Sequence, residues 1–536
     1  MAKSEPTLAV FRNQTFKSLW VAALASNFGG LVQSVGAAWM MTTLSGSPSM
    51  VALVQSSITL PIMIFSLAAG VFADNFDRRK VMLAAQGFMF VVSVTLAVLA
   101  FEGLLTPWIL LSFTFLIGCG TALHNPSWQA TVGDIVSRQE LPAAVSVNSM
   151  GFNMMRSVGP AAGGAIVAIG GAAAAFAVNA ASYVAIMAAL WKWRPSLQPR
   201  HLPREPFGNA FAAGLRYVAM SPNLLKVIAR GFLFGLSAIA TQALLPIVVR
   251  ENLDGGALTY GVLLACFGIG AVAGALANAR LRARFANEHI TRLGFLGFSA
   301  SSATLALSAT ALISGLALLV AGACWVIALS LFNTTMQMST PRWVVGRVLA
   351  LYQTGVFGGM AGGSWIWGVM AESFGAGAAL IFAAGILSVG AIAGIRAPLP
   401  DFGHLNLDPL NRFTEPPLQL DLTQRSGPIM IMVDYEIAQS DVPDFLALMS
   451  QRRRIRIRDG AQQWALLRDL ERPDIWTETY HVPTWVEYIR HHARRTQSDA
   501  EISDRLLALH KGPDPVRVHR MIERQTVSLD DDMPRR

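Results

Sequence analysis

Twelve apolar runs, each about 18–25 residues long and parted by short polar joints, leave this chain few ways to fold. As a helix, a run of that length covers a hydrocarbon layer about 30 Å thick, and a helix satisfies its own amides where no water can. The runs fall near 16–44, 49–73, 81–101, 106–123, 143–169, 172–193, 223–249, 257–281, 291–313, 315–335, 344–371 and 375–395. Of the 536 residues, 53% are hydrophobic and 14% charged, which excludes an ordinary soluble protein. Charge divides unevenly along the chain. Residues 1–396 carry a net +12 and residues 397–536 a net −3, so a sparsely charged membrane body precedes a polar domain.

Most basic residues of the body sit in alternate joints: Arg78, Arg79 and Lys80, then Arg138, Arg194, Arg200, Arg204, Arg280, Arg282, Arg284, Arg342 and Arg347. Only Arg250 stands out on the other side. By the positive-inside rule both termini are expected in the cytoplasm of a multi-pass chain in the bacterial inner membrane. The same placement assigns the basic balance to topology, with no nucleic acid as partner. Cys119, Cys266 and Cys324 each lie inside an apolar run and form neither a disulfide framework nor a metal cluster. No cofactor is expected, no secretory signal precedes the first run, and no phosphate-binding Gly-Lys-Ser/Thr loop implies direct ATP drive.

The joint after the second run is the most specific local signal. Gly70 permits close helix approach, Asp74 can accept hydrogen bonds from a facing helix N-terminus, and Arg78, Arg79 and Lys80 hold one membrane face. An offset of 204 maps Gly70 to Gly274, Asp74 to Asn278, Arg78 to Arg282 and Lys80 to Arg284. An offset of 208 maps Leu123, Asn125 and Gln129 to Leu331, Asn333 and Gln337. Two offsets so close imply duplicated six-helix halves. In the fifth run Gly159-Pro160-Ala161-Ala162-Gly163-Gly164 combines close-contact glycines with a proline that bends the helix, and Gly358 to Gly363 takes the analogous place in the eleventh.

The Gly70–Lys80 joint resembles the loop between helices two and three of the major facilitator superfamily, and Gly159–Gly164 resembles an element of its exporters. With Ala122–Gln129, Leu141–Ala144 and Asn148–Pro160, the resemblance narrows to the enterobactin-exporter-like branch, also called the transmembrane secretion effector family. It implies a secondary transporter working by alternating access. The expected activity is proton-coupled efflux of a small amphiphilic siderophore, metabolite or drug. Gly70, Asp74, Arg78, Arg79, Lys80, Gly159, Pro160, Gly163, Gly164, Gly274, Asn278 and Arg282 would then shape the gates. One departure stands against proton coupling: Phe16–Ala73 and Trp108–Asn125 contain no carboxylate.

Among ionisable residues Arg156 is the most telling. A mid-helix arginine costs about 2.5–3.5 kcal/mol on insertion scales, so it faces a polar cavity or a partner. It anchors an anionic substrate, serves a coupling relay, or forms a structural pair. Arg230 has the same alternatives, with Lys226 one turn away. Asn27, Gln33, Asn153, Gln242 and Gln353 join them as candidates for a substrate path, each alone serving equally as interhelical glue. His124 is expected as a gate contact.

The expected domains are an N-terminal six-helix half (1–193), a linker (194–222), a C-terminal half (223–396), a second linker (397–427), a soluble domain (428–525) and a tail (526–536). Within the first linker Phe207, Phe211, Leu215 and Val218 recur at helical spacing. Strands are expected at 429–437, 463–470, 475–481 and 515–524, with helices at 442–454, 482–496 and 501–509. The fold class is thus an all-α membrane body of twelve helices plus a small α+β ferredoxin-like domain. Trp464, Trp476, Trp485, His491 and His492 make this domain similar to the antibiotic-biosynthesis-monooxygenase-like group, which implies self-association. It leaves open an alternative, a membrane-anchored enzyme or sensor whose sandwich binds or oxidises an aromatic ligand. Against that alternative, the histidines are read as surface groups and Arg452–Arg458 as a solvated edge.

Overall fold

The computed structural model describes residues 7–75, 77–136, 140–194, 207–396, 398–399, 406–408, 410, 413, 416–420, 422–423 and 425–523. Two compact units result. The first holds residues up to Glu205, Leu225–Thr335 and Leu349–Asp401; the second holds Pro206–Leu224, Met336–Val348 and Phe402–Arg536.

The helices of the first unit are α1 (Gln14–Leu44), α2 (Pro48–Asn75), α3 (Arg78–Phe101), α4 (Pro107–Ile135) and α5 (Leu141–Lys192). After α6 (Phe207–Ala219), which belongs to the second unit, follow α7 (Pro222–Glu251), α8 (Ala257–Arg284), α9 (Asn287–Leu307), α10 (Ala311–Met338), α11 (Val345–Phe374) and α12 (Ala376–Arg396). Ten described helices are long and apolar enough to cross a membrane. α11 is as long, but its many glycines, with Gln353, Thr354 and Ser364, dilute its apolar content. The separate fifth and sixth runs expected at 143–169 and 172–193 are one 52-residue helix, broken only at Gly171 with φ 71°. That left-handed conformation is open to glycine at little cost, and it redirects the chain with no intervening loop.

Starts and stops follow local chemistry. Asn13 caps α1 through its side-chain oxygen, Asp77 caps α3, and Thr106 caps α4 just ahead of Pro107. Along their lengths α5 packs on both α1 and α8, while α9 packs on α12.

In the second unit β1 (Ile429–Glu436), β2 (Gln462–Arg468), β3 (Ile475–Val482) and β4 (Arg517–Ile522) form one sheet, ordered β2-β3-β1-β4 with every described pair antiparallel. Helices α13 (Val442–Asp459), α14 (Trp485–Ala493) and α15 (Gln497–Leu509) accompany it. The helix expected from Val482 starts at Trp485, because Val482 still pairs with Ile429 and Thr484 caps the helix on the amide of Glu487. Burial alternates along β1, so Ile429, Ile431, Val433 and Tyr435 face the core with Phe445, Tyr480 and Tyr488.

α6 contributes to this unit through the face bearing Ala213, Tyr217 and Val218, leaving Phe211 and Leu215 exposed. The Arg458 guanidinium lies 5.3 Å from the Tyr217 ring centroid, and Arg494 lies 4.6 Å from that of Trp343. Tyr217 and Trp343 meet edge to face at 5.9 Å. Arg216 Nε donates to the Arg458 carbonyl at 3.3 Å. Cations of α13 and of the C-cap of α14 therefore clasp aromatics from α6 and from the segment joining α10 to α11.

Candidate functional site

α5 carries close-contact residues on two faces. A Cβ on Gly159 would come within 2.8 Å of Leu31 on α1, and one on Gly163 within 3.1 Å of the Val32 backbone. On the other face, a Cβ on Gly164 would meet the Ala257 carbonyl at 2.7 Å, and one on Gly261 would meet the Pro160 carbonyl at 2.5 Å. Gly159 and Gly163 thus seat α5 on α1, whereas Pro160 and Gly164 seat it on α8. α11 repeats the scheme. A Cβ on Gly359 or Gly363 would run into the α7 carbonyls of Phe232 or Leu236, while Gly358 faces Met63 of α2. α2 and α11 are further joined by Ser56 Oγ donating to the Ala361 carbonyl at 2.8 Å and by Ser66 and Thr354 hydroxyls 2.8 Å apart.

Arg156 lies one turn before this crossing. Its guanidinium carbon sits 5.7 Å from the ring centroid of Phe267 on α8 and 6.0 Å from that of Trp325 on α10. Those two rings meet edge to face at 5.9 Å, and Trp325 continues into a cluster of Phe234 and Phe298. A cation–π contact is worth about 0.5–2 kcal/mol. The rings therefore offset part of the insertion cost of this arginine, and among the described residues its N–H donors have no fixed acceptor.

The duplicated joint is visible in its second copy. Gly274 lets α8 meet α10, since its Cβ would come within 2.5 Å of the Ala323 carbonyl. Asn278 Nδ2 donates to Ser330 Oγ at 2.8 Å, and Arg282 donates to Asn278 Oδ1 at 3.2 Å and to the Ser330 carbonyl at 3.1 Å. In the first copy, the surroundings of Gly70 and the Asp74 side chain lie outside what is described, as does Arg138. Arg78 is half-buried and Lys80 exposed. Arg79 donates to the carbonyls of Leu190 and Trp191 at 2.9 and 2.7 Å, satisfying the C-terminal end of α5.

The amide candidates separate. Gln33 is buried and accepts from Asn179 Nδ2 at 3.4 Å, in a network with Ser93 and Tyr183. Asn153 donates to the Ser149 carbonyl of its own helix. Asn27 and Gln353 are half-buried, and Gln242 Nε2 is buried with no hydrogen-bond partner among the described residues. His124 meets Gln86 at 3.2 Å and stacks near Trp128. Arg230 pairs with Glu288 at 2.5 Å, and Glu288 also accepts the Leu399 amide at 3.0 Å. Glu288 and Asn179 went unremarked in the sequence. Each had a signal, Glu288 as the sole acidic residue between Asp254 and Glu372, Asn179 as an amide inside an alanine-rich run.

Two expectations for the second unit are corrected. Arg452 and Arg456 of the supposed solvated edge are buried, one turn apart on α13, because both donate to Glu478 on β3 at 2.9 and 3.1 Å. His491, expected at the surface, is 2% exposed with its Nε2 at 3.0 Å from Arg456. Burial alone would raise the Glu478 carboxyl, but the Arg456 and Arg452 charges prevail and hold it at about 2. Burial pushes His491 well down, helped by Arg456, and lowers His492 to about 3 for the same reasons. Burial raises Asp459 to about 6 against the opposing pull of Arg458.

The signs give a pH dependence. The folded unit refuses the protons that unfolded histidines accept, so stability is lost as pH falls below about 6.5, and Glu478 adds a loss from about 4.5 toward 2. Asp459 runs the other way, protonating first when folded and giving back stability between about 6 and 3.8. Two losses against one gain predict net destabilisation from pH 7 to 4. Lower amide protection factors along β1 and β3 of the full chain, corrected for the pH dependence of intrinsic exchange, would register it, and a flat profile would contradict the buried-histidine geometry.

The profile of the transmembrane secretion effector family matches residues 5–527. The chain is 24% identical over 251 residues to the staphyloferrin A transporter of Staphylococcus aureus, covering 46% of this chain and 62% of that protein. It is 26% identical over 292 residues to the enterobactin exporter EntS of Escherichia coli, covering 53% and 68%. The alignment thus spans under two thirds of the first of these relatives. Among solved structures, the nucleoside transporter NupG superposes with a TM-score of 0.58 at 12% identity, covering 71% of this chain and 99% of that one, a likeness of fold.

Proposed function

The chain belongs to the transmembrane secretion effector family, and from that premise we propose that it is a secondary transporter exporting a small amphiphilic molecule by alternating access. The observation that carries this reading is the matched pair of crossings, α5 on α8 and α2 beside α11, at which tight glycine contacts and hydroxyl bonds join two similar sets of helices. Taking α5 as two spans across Gly171 and including α11 gives twelve spans in two sets of six. The relatives named for staphyloferrin and enterobactin support a siderophore or comparable metabolite as cargo.

In this reading Asp74, Arg78 and Lys80 latch the cytoplasmic gate, with Asn278 and Arg282 as their counterparts, and α5 pivots at Gly159, Pro160, Gly163 and Gly164. Both termini lie in the cytoplasm of a bacterial inner membrane. Protons drive export, an assignment resting on the resemblance. The β2-β3-β1-β4 order supports a ferredoxin-like sandwich for the terminal domain, whose exposed edge strands offer a surface for self-association.

The test is accumulation of a panel of siderophores and fluorescent drugs in cells expressing the wild type or Asp74→Asn, with and without a protonophore. Lower accumulation, abolished by the protonophore and lost in the variant, is the expected result. Equal export by an Asp74→Asn protein inserted normally would remove the latch. Unchanged accumulation across the panel would remove the exporter reading.

A further inference from the structure

The body's other arginines with described polar contacts inside or at the ends of its helices each have at least one oxygen acceptor, although Arg230 Nη2 has none among the described residues. Arg230 has Glu288, Arg79 the carbonyls of Leu190 and Trp191, Arg282 the oxygens of Asn278 and Ser330, and Arg250 the Thr42 carbonyl. Arg156 differs. Its described contacts are the faces of Phe267 and Trp325, and among the described residues no carboxylate stands within ion-pair distance of it. The two rings are 3% and 6% exposed, while Arg156 itself keeps accessible surface.

A ring face attracts a guanidinium without accepting its five N–H donors in the plane. The donors are therefore held in orientation and left open. A planar fork of that kind matches a carboxylate with two parallel hydrogen bonds, and the match gains strength where water is scarce. Phe267 and Trp325, buried on α8 and α10, back the fork that Arg156 presents from α5.

We propose that Arg156 is the anchor for an anionic group on the cargo, its guanidinium held in orientation by Phe267 and Trp325. The inference rests on the transporter reading and assigns the cargo class, an organic anion. Because the anchor comes from α5 and the rings that orient it from α8 and α10, its aim depends on how those helices pack. Specificity would then reside in the helices whose separation changes during transport.

Calorimetric titration of the purified full-length protein with 1-naphthoate and with its neutral analogue 1-naphthalenemethanol tests this. The wild type is expected to bind the carboxylate at least about tenfold more tightly than the alcohol, and Arg156→Gln to bring that ratio near one. Arg156→Lys keeps the charge but not the fork, and is expected to fall between them. A wild-type ratio near one, no naphthoate binding, or an undiminished ratio in Arg156→Gln would overturn the proposal. Should Arg156→Gln fail to elute as a single folded species, Arg156→Lys decides, an unchanged ratio counting against the anchor. The titration contains no transport step. Selective binding without export would leave this inference standing and remove the exporter reading, and export with a ratio indifferent to Arg156 would do the reverse.

Discussion

Glu478→Gln is expected to destabilise the terminal sheet domain by about 3–5 kcal/mol, enough to unfold a marginal unit. Glu478 is fully buried, and each carboxylate oxygen accepts from one arginine, Arg452 at 2.9 Å and Arg456 at 3.1 Å, with Trp464 Nε1 adding a bond at 3.0 Å. An amide keeps the shape of the side chain but strands two guanidinium groups without their counter-charge. A triple replacement with Arg452→Met, Arg456→Met and Glu478→Leu removes all three charges together, at the loss of single bonds to Trp464 and His491, and should fall closer to wild type. Denaturant titration of the full chains, followed by amide exchange on β3, separates the two. A Glu478→Gln protein within about 1 kcal/mol of wild type would mean that the carboxylate supplies little net stability.

Gly261→Val should abolish export while leaving the chain inserted. Its Cβ would stand 2.5 Å from the Pro160 carbonyl and 2.7 Å from the Gly164 Cα, both backbone atoms with no rotamer in which to retreat. The α5–α8 crossing must therefore open, at the typical overpacking cost of about 1–3 kcal/mol, biasing the halves apart on one side. Gly362→Ala is the matched control, because a Cβ there meets nothing within 4 Å. Efflux lost in Gly261→Val and kept in Gly362→Ala is the expected pair. Equal efflux from both would show that the crossing does not constrain the transport cycle.

What could be read beforehand was local. Long apolar runs, the Gly70–Lys80 joint and the Gly159–Gly164 element each carry their meaning within one segment, and their positions follow from hydrophobicity and helix geometry. The continuous α5 was not legible, because glycines at 170 and 171 read as a loop until φ at Gly171 shows a helix merely redirected. Partners were least legible of all. That Arg230 meets Glu288, or that Asn179 gathers Gln33, Ser93 and Tyr183, depends on which helices adjoin, a non-local outcome. The arginine run after Gln451 misled for a related reason. Its helical spacing divides it, turning Arg452 and Arg456 inward and leaving Arg453 and Arg454 in solvent.

The clasp of Arg458 and Arg494 on Tyr217 and Trp343 bears on any attempt to shorten this chain. Its covalent order places the terminal domain last, so a stop codon after Arg396 looks like a clean excision. Yet two of the domain's partners, α6 and the segment 336–348, are encoded upstream and would survive the cut with their aromatic faces stripped. A shortened protein that precipitated would report those bare rings and not the duty of the missing domain. The informative allele is full-length with Tyr217 and Trp343 replaced by leucine, which loosens the grip and leaves Arg458 and Arg494 paired with Asp459, Asp499 and Glu487.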